Sequence, residues 1–286
     1  MKGVIWVNRR CYTEWMAALN TCPDHGAVIR GLEDFYRRYN RREFVHPDPL
    51  EFLYRYKNAG DREVVGLIAA SFAYGNVKAI LSCVQKILGP MGASPREFII
   101  SVNDRAMGKL YPGFKYRFTG ESDLLAFIAG IRRALKEYGT LQECMLAGCR
   151  PEDETVAPAI RHFIERVFGA NRPKTLIPDP DAKSAFKRLN LYFRWMARKD
   201  NVDPGGWSSV SPSKLIIPLD THMHKMSMEL GLTKRKQAGM KTALEITGVF
   251  AAFCPEDPVR YDFAITRPGI QKNQELFRQL RKCVAG

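Results

Sequence analysis

Residues 216–226, IIPLDTHMHKM, set one aspartate, Asp220, after an apolar run and just ahead of two histidines, His222 and His224. A carboxylate in that setting can cap a helix, ligate a metal or take part in catalysis. A second chemically suggestive residue lies upstream: Lys187 stands near the start of SAFKRLNLYFRWMARK, residues 184–199. An amine attacks only in its uncharged form, and the first turn of a helix, where the dipole repels a cation, is where nucleophilic lysines are helped. Lys187 is therefore a candidate nucleophile and Asp220 a candidate catalytic carboxylate, 33 residues apart. The same lysine also reads as part of a solvated or phosphate-binding face. The metal reading is weaker. Residues two apart on a helix diverge by about 200°, so His222 and His224 cannot face one ion. Asp220 and His224 could, but two ligands are too few for a zinc site. No metal and no other cofactor is expected.

The elements that must position these residues read as helices. In SAFKRLNLYFRWMARK, Phe186, Leu189, Phe193 and Met196 recur at helical spacing as an apolar stripe. Lys187, Asn190, Arg194 and Arg198 occupy another face, and Lys199 extends its charge. Downstream, Met223, Met226 and Leu230 predict a helix that Asp220 caps and Gly231 stops. DREVVGLIAASFAYGNVKAILSCVQKILGP predicts a helix over 62–74 capped by Asp61, a break at Gly75 and Asn76, and a second helix ending at Gly89-Pro90. Asp48 followed by Pro49 predicts another helix start, and SDLLAFIAGIRRALKEYG and ETVAPAIRHFIERVFG add two more with glycine stops. Proline-, glycine- and serine-rich loops at 172–184 and 201–214 bracket the Lys187 helix. The fold class expected is all-α and two-lobed, with a helical bundle over 60–200 and a second lobe from 1–59 and 201–286.

The 286 residues suffice for a sizeable core, and the net charge of +14 calls for a polyanionic partner or a strongly basic solvated surface. Seven cysteines (11, 22, 83, 144, 149, 254 and 283) show no paired C-x-x-C spacing, which argues against a disulfide framework or zinc knuckle and for a reducing, cytoplasmic location. MKGVIWV lacks the basic start and cleavage pattern of a signal peptide, and no apolar run reaches the roughly 20 residues of a membrane span. A monomer with no membrane partner is expected.

IPLDTHMHKMSMELGL resembles the stretch of the helix-hairpin-helix DNA glycosylase superfamily in which a V-D-T-H-like run opens a helix with the catalytic aspartate. In lyase members such as endonuclease III the nucleophilic lysine opens the preceding helix, as Lys187 opens SAFKRLNLYFRWM, and the separation is closer to that of the archaeal GO glycosylases. IAASFAYGNVKAI resembles the helix–loop–helix whose loop, Tyr74 to Asn76 here, probes a duplex beside an extruded base. Over most of residues 35–270 the chain is similar to an uncharacterised bacterial family catalogued as a domain of unknown function. The resemblance implies a base-excision glycosylase with AP-lyase activity on oxidised purines such as 8-oxoguanine, acting on double-stranded DNA with a damaged base. Lys187 and Asp220 would be catalytic; Tyr74, Asn76, Lys78, Arg194, Arg198 and Lys199 would contact DNA. Two departures stand out. IPDPDAKSAFK replaces the glycine-rich hairpin before the lysine, and the four-cysteine pattern that would hold an iron–sulfur cluster is missing. A non-catalytic DNA-binding protein on the same fold, and more remotely a metal-dependent hydrolase, are the other readings.

Overall fold

Helical periodicity is realised almost throughout the computed structural model, which describes residues 25–270. The protein is all-α. Among the described residues its strands are Lys115–Tyr116 and Thr119–Gly120, paired as a short antiparallel hairpin. The described chain divides into two compact units: residues 25–44, 183–190 and 212–270 form one, and residues 45–182 and 191–211 form the other. No helix among the described residues is long and apolar enough to cross a membrane.

The larger unit is organised by α2, Ala59–Ser71, whose Val64, Val65, Leu67 and Ile68 are wholly buried. Its cap is Asn58, which accepts from the N–H groups of Gly60 and Asp61, so the helix starts a turn earlier than Asp61 alone suggests. Asp61 instead accepts from the backbone N–H of Arg96. Asp48 does cap, accepting from Leu50 N, but the turn it opens, Pro49–Arg55, is a 3-10 helix that buries Leu50, Phe52 and Leu53. Gly75, at φ +98°, ends α2's extension in a backbone region that L-residues avoid, and Asn76 caps α3, Val77–Leu88, through Lys78 N. An aromatic cluster follows from the long helix α6, Glu121–Tyr138: Phe127 stacks on Phe168 at 5.3 Å, and Phe72 meets Phe127 edge-on. Gly130 lets this helix approach closely, since a Cβ there would lie 2.6 Å from the carbonyl oxygen of Val167.

The smaller unit packs three helices of its own: α1, His25–Tyr39; α10, Thr221–Glu229; and α12, Asp262–Ile270, against which both others lie. α11, Met240–Phe253, supplies further buried apolar residues, among them Ile246 and Phe250. Glu33 of α1 receives hydrogen bonds from Tyr261 and from Arg260, whose guanidinium also lies over the Tyr36 ring. The helix that carries Lys187, α9, Lys187–Ala197, has its first turn in this unit and the rest in the larger one.

Candidate functional site

The Asp220 side of the site is built by an apolar anchor. Leu215, Ile216, Ile217 and Leu219 are buried in sequence, and the N–H of Ile217 donates to Thr247 Oγ1 at 3.0 Å. Thr247 in turn donates to the carbonyl of Ala243 inside α11. With the preceding run fixed, Asp220 reaches the N-cap of α10 in extended conformation, and its Oδ1 accepts from the N–H of Met223 at 2.8 Å. The expected cap is present. Its second oxygen, Oδ2, is left facing elsewhere.

The Lys187 side is held by backbone. Ser184 pairs with Gly239 as an antiparallel bridge, and the N–H of Met240 donates to the carbonyl of Lys183. Gly239 is required there, because a Cβ would stand 2.9 Å from that carbonyl oxygen. Asn190 Nδ2 donates to Ala185 O, and Ser184 Oγ accepts from Phe186 N. Phe186 itself sits at φ +46°, a left-handed conformation that costs a non-glycine residue about 1–3 kcal/mol and persists only where its surroundings impose it. The next residue is Lys187.

These two constructions bring Lys187 Nζ to 3.8 Å from Asp220 Oδ2, with the side chains 32% and 25% exposed. The amine and the carboxylate thus share one partly open position within the smaller unit. The carboxylate can accept a proton from the amine or offset positive charge nearby, and solvent or a ligand can reach both. Of the histidines, His222 is exposed, whereas His224 Nε2 donates to the carbonyl of Arg235 at 2.7 Å. Among the described residues no three His, Cys, Asp or Glu side chains gather where they could hold a metal ion.

The residues expected to contact DNA separate into two groups. Asn76, Lys78 and Lys199 are exposed. Asn76 spends its side-chain oxygen on the α3 cap. Tyr74 is half-buried, its hydroxyl shared with Thr119 Oγ1 at 2.6 Å and its ring against Tyr116. Arg194 and Arg198, by contrast, are not on a phosphate-facing surface: each is 3% exposed, and both point into Asp203, which is wholly buried. Arg194 meets Asp203 Oδ1 at 3.1 Å, Arg198 bonds Oδ2, and Arg198 also reaches Asp200 at 2.8 Å. The reason is the loop after α9. Its Gly205 and Trp207 N–H groups cap the carbonyls of Trp195 and Met196, which folds Asp203 back beside the arginines. The signal for this was present in the apolar residues Phe193, Trp195 and Met196 that surround Arg194 on every side.

A second buried acid escaped the sequence reading. Glu63, within the apolar run of α2, is 2% exposed; its Oε2 accepts from Trp207 Nε1 and from Gln142 N, while Oε1 has no hydrogen-bond partner among the described residues. Burial pushes its carboxyl above the ordinary range, against the pull of those hydrogen bonds.

Comparison with curated proteins and with solved structures returns no match. Residues 48–271, which include every residue of the site described above, match the family described as "Protein of unknown function (DUF2400)", and the chain belongs to that family.

Proposed function

We propose that this protein excises damaged bases from double-stranded DNA and cleaves the resulting abasic strand, with Lys187 as nucleophile and Asp220 as its acid–base partner. The observation that carries this reading is the 3.8 Å approach of Lys187 Nζ to Asp220 Oδ2 in a partly open position. Magnitudes favour chemistry over architecture as its reason. An exposed ion pair contributes about 0–1 kcal/mol, yet the chain fixes this one with a left-handed Phe186, a glycine contact and two anchoring hydrogen bonds. Such outlay on a weak pair is what preorganisation of reacting groups looks like.

In this reading Asp220 takes a proton from the Lys187 ammonium, and the lone pair of the resulting amine then forms a bond to C1′ of the damaged nucleotide. The C1′–N glycosidic bond breaks, its electron pair leaving with the base, which is protonated on departure. The departing base takes its proton from Asp220, and the carboxylate so restored offsets the positive charge left on the sugar and the attached amine. Opening of the sugar ring gives an imine between Nζ and C1′; removal of a C2′ proton then expels the 3′ phosphate, and water releases the lysine. The base must first leave the stack, at a cost of a few kcal/mol that is least for weakened pairs. Oxidised purines such as 8-oxoguanine are the proposed substrates, on the strength of the resemblance to the archaeal GO glycosylases. Asn76, Lys78 and Lys199 are proposed contacts to the duplex.

The test is borohydride trapping on a panel of duplexes, each with one lesion. The wild-type protein is expected to form a covalent adduct that Lys187→Gln does not form. Trapping that persists in Lys187→Gln, or no trapping and no excision with any lesion, overturns the proposal. The second reading, a DNA-binding protein without chemistry, rests on Asp220 already having a structural task as the cap of α10.

A further inference from the structure

Residues 233–241, TKRKQAGMK, comprise the connection from α10 and the first two residues of α11, and carry a contrast between a fixed backbone and free charges. Lys234, Lys236 and Lys241 are exposed and form no ion pair among the described residues, and the same holds for Lys183 beside them across the Ser184–Gly239 bridge. The segment itself contains no acidic residue to offset them. The segment that bears them is nevertheless tied down. Arg235 between the lysines is engaged locally: its Nε bonds Glu245, its N–H donates to Thr233 Oγ1, and Thr233 donates to the other oxygen of Glu245 at 2.9 Å. Thr242 Oγ1 donates to Gln237 O at 2.6 Å.

Two of the ties lead to the candidate catalytic pair. The carbonyl of Arg235 accepts from His224 on the helix that Asp220 caps, and the N–H of Met240 donates to Lys183, four residues before Lys187. One rigid basic loop is thereby bonded to the supports of both residues. We propose that this loop, through Lys234, Lys236 and Lys241, is a binding site for the phosphodiester backbone of nucleic acid. Regularly spaced negative charges are the partner that several unmatched lysines on a fixed frame fit, and neutralising them would release condensed counterions. That the strand held here is the one whose sugar reaches Lys187 rests on the reading given under Proposed function; the backbone binding does not.

The experiment is fluorescence anisotropy of an undamaged labelled duplex titrated with the full chain between about 50 and 300 mM salt, where affinity falls with a slope of about 0.9 per phosphate contact. The triple variant K234Q/K236Q/K241Q should lose about two to three from the magnitude of that slope and bind at least about tenfold more weakly at physiological salt. K57Q/K109Q/K136Q removes the same charge from exposed positions of the larger unit and should change the slope by less. Circular dichroism checks that both variants fold. An unchanged slope in the loop variant, equal losses in the two triples, or no duplex binding by the wild-type chain overturns the clamp. Borohydride trapping separates the two proposals. Loop-dependent binding without trapping by the wild-type chain sinks base excision and leaves the clamp; trapping with an unchanged slope does the reverse.

Discussion

The chain contains two carboxylate–cation sets of opposite character. In the larger unit, Asp203 is wholly buried and holds Arg194 and Arg198 through several charge-assisted hydrogen bonds. In the smaller unit, Asp220 meets Lys187 across a single 3.8 Å gap in a partly open position. Burial makes the first set a structural commitment: its charges have given up water, so each needs its partner. Exposure makes the second nearly neutral in stability and leaves both groups available to a ligand. The same residue types therefore serve different ends, and the difference lies in solvent access and not in sequence motif. Arginine suits the buried set because its planar fork can bond a carboxylate at several points, and lysine suits the open one because an amine can lose its proton and attack.

Breaking the buried set should have the largest effect. Asp203→Ala removes from the interior the carboxylate that both guanidiniums bond, leaving Arg198 its contact with Asp200, so unfolding free energy should fall by about 3–5 kcal/mol, measured by urea denaturation. A loss under about 1 kcal/mol would mean that water reaches the arginines and that the contrast drawn above is too sharp.

A buried carboxylate with no cation bonded to it sharpens the comparison from another side. Burial raises the Glu63 carboxyl, so the folded protein keeps that proton to higher pH than the unfolded chain does. Its contribution is fully present below the ordinary carboxylate value and is lost as pH rises through the raised one. Wild-type stability should therefore decline as pH rises above the ordinary carboxylate range, a decline that Glu63→Gln lacks. There the variant should be more stable by on the order of 1 kcal/mol, since it keeps the carbonyl that Trp207 and Gln142 donate to without burying a charge. Parallel pH profiles for the two proteins would show that Glu63 stays ionised in the core.

How much of this was legible beforehand follows the reach of each interaction. Local rules worked where the cause is local: Asp48 and Asp220 as caps, the break at Gly75, the stop at Gly139 with φ +78°. The cap of α2 was misplaced to Asp61 because Asn58 and Asp61 both suit an N-cap, and only the Arg96 N–H, 35 residues away, claims the second. Helical spacing also put Arg194 and Arg198 on one face, correctly, but spacing cannot say what covers that face. Its cover is Asp203, delivered by a loop with no periodicity to read. The approach of Lys187 to Asp220 was anticipated from a resemblance, whereas the parts that produce it, Gly239 against Lys183, Thr247 under Ile217 and the left-handed Phe186, are tertiary and carry no local signature.

Asp220 has two oxygens with separate tasks, which allows them to be separated by substitution. Asp220→Ala removes the acceptor for Met223 N and should cost about 1 kcal/mol, the usual value of an N-cap. Asp220→Asn keeps an equally good cap and should cost a few tenths at most, while it removes the anion that faces Lys187. If the carboxylate is used in chemistry, the asparagine variant excises lesions at least about a hundredfold more slowly, within the range attributed to a general acid or base, and binds duplex DNA no worse. Asparagine and wild type with equal turnover would reduce Asp220 to its cap.

Lys187→Gln should also have only a small effect on stability, and that smallness is what gives it discriminating power. Lys187 makes one ion pair among the described residues, in a partly solvated position, so its loss should move the unfolding free energy by about 0–1 kcal/mol. Glutamine, one atom shorter, keeps the helix propensity of the first turn, where α9 also gains from losing a cation at the positive end of its dipole. A protein of unchanged fold that forms no borohydride adduct would then have lost an amine and nothing else. If Lys187→Gln instead destabilises by several kcal/mol, the open pair is a structural commitment like the buried one, and any loss of trapping in it ceases to identify the nucleophile.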